Sequence, residues 1–353
     1  MPDRRKGRGA ATNRTNRFER LEKVAIHDGW DHVDDLPPFR TEIRDEQAKS
    51  IIARNASPDI PFDRSINPYR GCEHGCIYCF ARPSHAYLGL SPGLDFEAQL
   101  VAKPNAAALL RTALSRRRYS PAPIAIGTNT DAYQPIERDR RIMRAVLEVL
   151  HDFNHPVGIV TKGTLVERDV DILGPMGQAG LARVGISITT LDRDLARRME
   201  PRVPPPARRL RMIEVLARVG VPVRVMVSPI IPGLTDHEIE AIVAAARDAG
   251  AVAASMIPLR LPREVADLWR DWLAEHYPDR MTRVMSKLRD MHGGRDYDPD
   301  WGLRMTGQGV WAELLQNRFA RATRSAGLAA KLPPLRTDLF AVPPKAGDQL
   351  ALF

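Results

Sequence analysis

From residue 64 onward, short apolar stretches alternate with amphipathic ones, and this alternation predicts a βα architecture. The amphipathic stretches have helical spacing, as in Ile142, Met143, Val146, Leu147 and Leu150. Strands that recur about every 30 residues, with a helix between each pair, favour a parallel sheet. No Gly-x-Gly-x-x-Gly follows the first strand, so we expect an α/β fold with a full or partial (β/α) barrel. The predicted strands are 65–69, 124–128, 157–161, 183–188, 221–227 and 252–257.

The same patterns divide the chain into regions. Thr235 and Glu238 have the spacing of a capping box, which predicts a helix that ends before Gly250. The repeating βα pattern stops near residue 280, where two helices around a Gly/Asp loop are predicted. The predicted regions are a basic mobile arm (1–20), a wrapping segment (21–63), the core barrel (64–278), a helical C-terminal extension (279–330) and a loose, proline-rich tail (331–353).

The distribution of charge along the sequence suggests a candidate binding partner. The net charge is +9, and seven Arg or Lys residues lie in the first 20 positions, opposed only by Asp3 and Glu19. Arg111 and residues 116–118 form a second basic cluster. This balance favours a DNA or RNA substrate contacted through the basic arm, although well-solvated surface charge explains it equally. No apolar segment approaches the ~20 residues of a membrane span, and the N-terminus lacks a secretory apolar region, so we expect a cytoplasmic protein without membrane contact.

All the cysteines of the sequence lie in one short segment, RGCEHGCIYCF, directly after the first predicted strand. Cys72, Cys76 and Cys79 have the spacing C-x3-C-x2-C, and thiolates this close together favour a soft metal. One interpretation is a [4Fe-4S] cluster with three protein ligands and one open iron. The other is a zinc site, which needs a fourth ligand such as His74 or His85.

The cysteine spacing, with the aromatic Tyr78 before Cys79, resembles the radical S-adenosylmethionine (SAM) superfamily. The resemblance covers about residues 64–260 and implies a partial (β/α)6 barrel, a [4Fe-4S] cluster on the three cysteines and SAM bound to the fourth iron. It further implies an enzyme that takes an electron from a donor such as flavodoxin or ferredoxin, cleaves SAM and abstracts hydrogen from a substrate. Segments 126–137, 160–163, 187–192 and 199–202 resemble the spore photoproduct lyase-like branch, and 6–10 with 17–19 resemble a bacterial group within it.

The resemblance also implies a SAM site at the strand ends. Asn129, Thr130 and Asp131 follow the second strand, where one of them, Thr130 or a neighbour, meets the SAM amino group; an ordinary Asx or ST turn is the structural alternative. Lys162 ends the third strand and is a candidate partner of the SAM carboxylate. The remaining candidates are Ser187 and Thr189 for the ribose, Arg202 for adenosine or substrate, and Tyr78 for the adenine or for shielding the cluster. Their structural alternatives are cross-strand hydroxyl pairing for Ser187 and Thr189, an exposed rim charge for Arg202 and core packing for Tyr78.

Two tyrosines and one missing thiol complete the sequence predictions. Tyr69 and Tyr133 are candidate catalytic residues, as radical relays or stacking groups, with core packing as the alternative. In the lyase-like branch a further cysteine outside the cluster donates hydrogen, and Asn129 stands near its place here. The same repair reaction is therefore not expected. Two rival hypotheses remain: a nucleic-acid-binding protein with a zinc or Fe-S knuckle and no turnover, and an electron carrier.

Overall fold

The computed structural model describes residues 8–19 and 40–344. Within these residues the chain forms ten strands: β1 Glu42–Asp45, β2 Ile52–Arg54, β3 Arg64–Ile66, β4 Tyr69–Arg70, β5 Gln99–Ala102, β6 Ile124–Ile126, β7 Val157–Thr161, β8 Ala182–Ser187, β9 Val223–Ile230 and β10 Ala253–Pro258. The α-helices of the same part of the chain are α1 Leu94–Ala98, α2 Ala106–Leu114, α3 Glu137–Arg140, α4 Ile142–Asp152, α5 Val170–Gln178, α6 Arg193–Met199, α7 Pro206–Arg218, α8 Ile239–Asp248, α9 Glu264–His276, α10 Pro278–Met291 and α11 Gly309–Ser325.

The largest sheet of the described residues has seven strands in the order β10-β9-β8-β7-β6-β3-β2. All neighbours from β10 to β3 pair in parallel, and β2 adds an antiparallel edge beside β3. Six parallel strands with helices between them are the predicted α/β partial barrel, which is confirmed. Because all carboxyl ends of these strands lie at one edge, the residues that follow each strand converge there.

The predicted first strand, 65–69, is two strands. Asn67 and Pro68 interrupt it, because proline has no N–H group for a sheet ladder. β3 stays in the large sheet, whereas β4 pairs antiparallel with β5 in a second sheet of order β1-β5-β4. This second sheet carries the chain directly into the cysteine segment.

The predicted helix faces are buried, as on α4, where all five apolar residues named above pack into the core. The prediction of a capping box is wrong. A helix begins at this position, through a 3₁₀ turn into α8, but neither the Thr235 nor the Glu238 side chain caps it. The Thr235 hydroxyl accepts a bond from the N–H of Ile231 (3.0 Å), and the Glu238 carboxylate accepts one from the Thr190 hydroxyl (2.8 Å). Tertiary partners therefore occupy both side chains.

The C-terminal region has the predicted helix, loop and helix, as α10, residues 292–308 and α11. The described part of the tail, residues 331–344, differs from the loose segment expected, and residues 345–353 lie outside the described part. The Phe340 ring packs against Tyr119 and Phe153 with centroid distances of 5.5 and 6.1 Å, and the N–H of Ala341 donates to the carbonyl of Phe153 (3.1 Å). The prolines correctly indicate that residues 331–344 form no helix or strand, but these residues still pack against the core.

Candidate active site

The cysteine loop, residues 71–80, crosses the mouth of the barrel. Gly71 and Gly75 both have positive φ, +75° and +66°, which side-chain-bearing residues adopt at a cost. These two turns fold the loop tightly, and the N–H groups of Gly75 and Cys79 donate back to the carbonyls of Cys72 (3.3 Å) and Cys76 (3.2 Å). The three cysteines consequently lie in one tight loop, in which the Cys76 and Cys79 thiols act electrostatically on Cys72.

The electrostatics of the thiols fit a cation ligand. Burial raises the pKa of Cys72 well above its ordinary value, and Asp131, Cys76 and Cys79 raise it further by repulsion. Burial also raises the pKa of Cys76, while the Lys162 ammonium acts in the opposite direction. Three thiolates in one loop, two of them buried and Cys79 half-buried, repel one another unless positive charge lies between them, and an iron-sulfur cluster supplies that charge.

A fully buried arginine holds the loop from behind. The Arg82 guanidinium donates to the carbonyls of Gly75 (3.1 Å) and Cys76 (3.0 Å), and to the Glu97 carboxylate (2.5 Å). It also donates to the carbonyls of Pro92 (3.0 Å) and Gly93 (2.9 Å). Arg82 and Glu97 are each inaccessible to solvent. Five bonds from one rigid, planar group therefore fix the backbone on which Cys76 stands.

The N-terminal segment closes the other side of Glu97, so residues 8–19 differ from the mobile arm expected. The Glu97 carboxylate accepts bonds from the N–H groups of Gly9 (2.9 Å) and Ala10 (2.8 Å). A Cβ on Gly9 would come within 1.8 Å of the Gly75 carbonyl oxygen, so glycine is required for this close approach. The segment is polar, but it is held in place because its backbone N–H groups donate to the buried Glu97 carboxylate. Amino-acid composition does not reveal such contacts. Residues 1–7 and 20 lie outside the described part.

The two histidines proposed as zinc ligands are engaged elsewhere. The His74 Nδ1 lies 3.3 Å from the Asp131 carboxylate, and the His85 Nε2 lies 2.9 Å from the carbonyl of Gln99. Burial lowers the pKa of His85 to about 4. Within residues 8–19 and 40–344, no group of three or more His, Cys, Asp or Glu side chains, the three cysteines included, is arranged around a single metal ion. In the described residues, neither His74 nor His85 therefore completes a four-ligand zinc site with the cysteines.

Asp131 joins the ends of β6 and β7 to the cysteine loop. Its carboxylate accepts bonds from the Thr161 hydroxyl (2.6 Å) and the N–H groups of Lys162 (2.8 Å) and Tyr133 (2.9 Å). Burial alone would raise the pKa of Asp131, but His74 and these donors hold it at about 2. Asp131 is thus an anion that positions the backbone of Lys162.

Asn129 and Thr130, the two candidate residues that precede Asp131, also form hydrogen bonds within the protein. The Thr130 hydroxyl donates to the carbonyl of Tyr69 (3.1 Å), and the N–H of Asn129 donates to the Asn67 side chain (3.2 Å). The half-buried Asn129 and the buried Thr130 follow β6 at the same edge as Asp131. The three residues form the turn that was the structural alternative, and this turn lies at the barrel mouth.

Lys162 points its ammonium group toward the cysteine loop. Its Nζ lies 5.8 Å from the centroid of the Tyr78 ring and interacts favourably with Cys76 and Glu200. Burial would raise the pKa of Glu200, but Arg209 and Lys162 hold it below its usual range. The cation therefore lies between the sulfur ligands and a buried carboxylate.

Glu200 is the centre of a buried network that includes two predicted site residues. It accepts hydrogen bonds from the Tyr78 hydroxyl, from the Thr189 hydroxyl (3.0 Å) and from the Arg209 guanidinium (2.5 Å). Arg209 also donates to the carbonyl of Ser187 (2.9 Å), which fixes the end of β8. Because the hydroxyls of Tyr78 and Thr189 are committed here, the network orients the Tyr78 ring against Lys162.

Arg202 contacts the cysteine loop at Glu73 and His74. Its guanidinium is 3.2 Å from the Glu73 carboxylate, and its N–H donates to the carbonyl of His74 (3.4 Å). Glu73 also accepts a bond from the Thr41 hydroxyl (2.8 Å). The Arg202 side chain is about one-third exposed, so one face of the guanidinium remains accessible.

The family of the chain follows from a comparison of its sequence with known protein families. Residues 66–246 match the family described as the radical SAM superfamily. The chain belongs to the radical SAM superfamily. As a member of it, the protein is a SAM-dependent radical enzyme. In the described part of the chain, no helix is long and apolar enough to cross a membrane.

One relative of this radical SAM protein extends over most of its length, and another over about half. An uncharacterised protein of Mycobacterium tuberculosis is 34% identical over 285 residues, which cover 80% of this chain and 83% of the relative. An uncharacterised protein of Methanocaldococcus jannaschii is 30% identical over 173 residues, 49% of this chain and 62% of that protein.

Solved structures share the fold of this radical SAM enzyme. Spore photoproduct lyase complexed with dinucleoside spore photoproduct is similar with a TM-score of 0.59 and 16% identity, covering 81% of this chain and 80% of that one. A mutant of that lyase with bound AdoMet and the same dinucleoside gives a TM-score of 0.55 at 16% identity, covering 77% and 78%. The predicted fold is thereby confirmed.

Both candidate catalytic tyrosines of the enzyme are buried in the main core. The Tyr69 hydroxyl donates to the Glu137 carboxylate (2.5 Å), and burial raises its pKa. Burial and the nearby Asp169 carboxylate raise the pKa of Tyr133. Packing is thus their observed environment, and a part in radical transfer stays a prediction.

Sequence reasoning missed the groups that support the site: Arg82, Glu97 and Arg209. Nothing local marks them, because each is one charged residue within an ordinary helical or turn segment. A usable signal was that charged residues rarely lie in the otherwise buried face of a helix unless they are paired there.

Proposed function

We propose that this enzyme holds a [4Fe-4S] cluster through Cys72, Cys76 and Cys79, and binds SAM beside it at the ends of β6, β7 and β8. The observation that carries the proposal is the tight loop that holds all three cysteines, for which the described residues provide no fourth His or Cys ligand. His74 and His85, the nearest candidates for that position, contact Asp131 and Gln99 instead. Membership of the radical SAM superfamily supports both cofactors.

The residues of the chain have distinct parts in this proposal. When bound, the cluster and SAM supply reductive SAM cleavage and hydrogen abstraction from a substrate. Lys162 lies beside Cys76 and binds the SAM carboxylate, while Thr130, or a neighbour in its turn, accepts a bond from the amino group. Asp131 positions Lys162 through its backbone.

The remaining predicted groups are proposed for the adenosine half of SAM. Ser187 ends β8, Thr189 follows it, and both are proposed to contact the ribose. Tyr78, held by Glu200, presents its ring as an adenine contact or as a cover over the cluster. Arg202, beside Glu73, is assigned to adenosine or to the substrate.

The substrate we propose is a nucleic acid. The net charge of +9 favours a polyanion, and the similar lyase is complexed with a dinucleoside photoproduct. The three cysteines of this sequence are all in the loop, so hydrogen return from another thiol of the sequence is excluded. Tyr69 or Tyr133 is the proposed substitute, and a flavodoxin or ferredoxin is the proposed electron donor.

Anaerobic reconstitution tests the cofactor assignment. The full chain should bind about four iron and four sulfide per protein, and with SAM and dithionite it should release 5′-deoxyadenosine. Cys76→Ala should lose both properties. Ser115→Ala, at the end of α2, is the control and should retain both.

Two outcomes would contradict the proposal. One is zinc at one equivalent per chain, with no iron chromophore after reconstitution. The other is a fully loaded cluster that never cleaves SAM, which would favour a nucleic-acid-binding or electron-carrying protein.

A further inference from the structure

Arg260 lies at the mouth of the barrel, two residues after β10. Its position is fixed by the preceding residue, because the N–H of Leu259 donates to the carbonyl of Ile230 (2.9 Å) and His292 Nε2 lies 3.1 Å from the carbonyl of Leu259. The proposed SAM contacts follow β6, β7 and β8, and β9 separates β10 from them. Arg260 therefore belongs to a part of the mouth to which no role has been given.

The Arg260 guanidinium rests on the cysteine loop. Its central carbon lies 4.5 Å from the centroid of the Phe80 ring, and Phe80 directly follows Cys79. The Nη1 atom lies 3.0 Å from the Met305 sulfur, which is a weak acceptor. Among the residues that the structure describes, no carboxylate forms an ion pair with Arg260.

This environment differs from that of the other buried arginines. Arg82 and Arg209 pair with Glu97 and Glu200 and also donate to carbonyls. Arg260 is half-buried, and burial is the largest cause that lowers its pKa. The Asp59 carboxylate acts in the opposite direction, but it forms its ion pair with Arg304 and not with Arg260. A desolvated cation that keeps several unused N–H donors is stabilised when an oxyanion binds to it.

The surroundings indicate which anion fits. Phe80 is 46% exposed although the Arg260 guanidinium lies over its ring, so aromatic surface remains open to solvent beside the same cation. Arg304 is also nearby, but its guanidinium pairs with the Asp59 carboxylate and its Nη2 donates to the Ser57 hydroxyl (2.6 Å). The site therefore depends on Arg260 itself. A guanidinium fork beside an exposed aromatic ring suits a phosphate that carries a planar base.

We propose that Arg260 is a substrate-anchoring site, which binds a phosphate oxyanion of the substrate beside the cysteine loop, with Phe80 stacking on the adjoining base. The inference rests on the proposed function in one respect only, which is that the bound phosphate is assigned to the substrate of the enzyme. It predicts that the protein recognises a phosphate group through one defined contact in addition to its diffuse positive charge.

The test is a binding titration without SAM or reductant. A fluorescein-labelled dodecathymidylate is titrated with the anaerobically reconstituted full chain and followed by anisotropy over a range of salt concentrations. Arg260→Met should weaken binding at least about tenfold and lower the slope of log K against log salt by about one. Arg260→Lys should recover part of the loss, because it keeps the charge without the planar fork. Arg218→Met, which removes the same charge at the exposed end of α7, should stay within about twofold.

Competition by small ligands identifies the source of the phosphate. If thymidine monophosphate displaces the oligonucleotide and thymidine does not, and Arg260→Met removes this difference, a single nucleotide fills the site. If only oligonucleotides respond to the variant, the site reads a nucleic-acid backbone. Either result supports the site. Equal affinity of Arg260→Met and the unmodified chain for every phosphate ligand would overturn it.

A second variant protects the test against misfolding. Should Arg260→Met be unfolded by circular dichroism, Phe80→Leu replaces it and should weaken oligonucleotide binding about threefold or more, since base stacking on an aromatic ring is lost. Unchanged binding by a folded Phe80→Leu would then overturn the proposal. Because the titration contains neither SAM nor reductant, its failure leaves the SAM-cleavage assay unaffected, and the converse also holds.

Discussion

Replacement of Glu97 by glutamine removes the charge on which the cysteine loop depends. Glu97 is fully buried and accepts three hydrogen bonds, from Arg82 (2.5 Å), Gly9 (2.9 Å) and Ala10 (2.8 Å). Glutamine is nearly isosteric, so Glu97→Gln changes charge and donor pattern with little change in volume. Its NH2 group faces N–H donors and cannot accept from them.

The expected loss follows from these contacts. Breaking a buried ion pair on one side costs about 3–5 kcal/mol, because the remaining charge stays buried without its partner. At least one of the three bonds is also lost, although the carbonyls of Gly75, Cys76, Pro92 and Gly93 still surround Arg82. We therefore expect Glu97→Gln to lower the free energy of unfolding by about 3 kcal/mol or more.

Urea unfolding of the full chain, followed by circular dichroism, measures this loss, and iron content after gel filtration reports on the loop. The control is Glu148→Gln, whose carboxylate is 54% exposed and pairs with Arg144 one turn away. That variant should lose less than about 1 kcal/mol. A loss of under about 1 kcal/mol for Glu97→Gln, equal to the control, would refute the role given to the buried pair.

Three further predictions address the SAM site, the N-terminal segment and pH. Lys162→Met should raise the Kd for SAM about tenfold or more, because a charge-assisted bond to the carboxylate is worth about 1.5–3 kcal/mol; calorimetry of the reconstituted protein that shows less than a twofold change would contradict it. Gly9→Val places a side chain where the Gly75 carbonyl lies and should speed bleaching of the cluster chromophore in air severalfold; an unchanged rate would count against the segment as a cover. Burial lowers the pKa of His155 to about 4, so the unfolded chain binds a proton that the folded chain does not between about pH 6.5 and 4. Stability should consequently fall by up to about 3 kcal/mol as the pH drops through this window, and His155→Gln should flatten the dependence in urea titrations at pH 7 and 5.

The sequence by itself determined the order of elements and the chemistry of the loop. Strand and helix periodicity depend on which face of a local element is buried, so β6 to β10 could be predicted from residues close in sequence. The spacing of Cys72, Cys76 and Cys79 is also local, and three thiols on one tight loop lie close together in almost any fold. The strand ends of a parallel sheet share one edge, which is why Asp131 and Lys162 could be placed together beforehand.

The tertiary structure alone decided which charges support the site. Arg82 and Glu97 are 15 residues apart, and Glu97 is 88 residues from Gly9, so no local pattern links them. Likewise, only the packed chain shows that Glu238 bonds to Thr190 instead of capping its helix, and that Arg260 lies on Phe80. The physical reason is common to these cases. A buried polar group is stabilised by whichever partner the fold brings within hydrogen-bond distance, and that partner is set by the three-dimensional path of the chain.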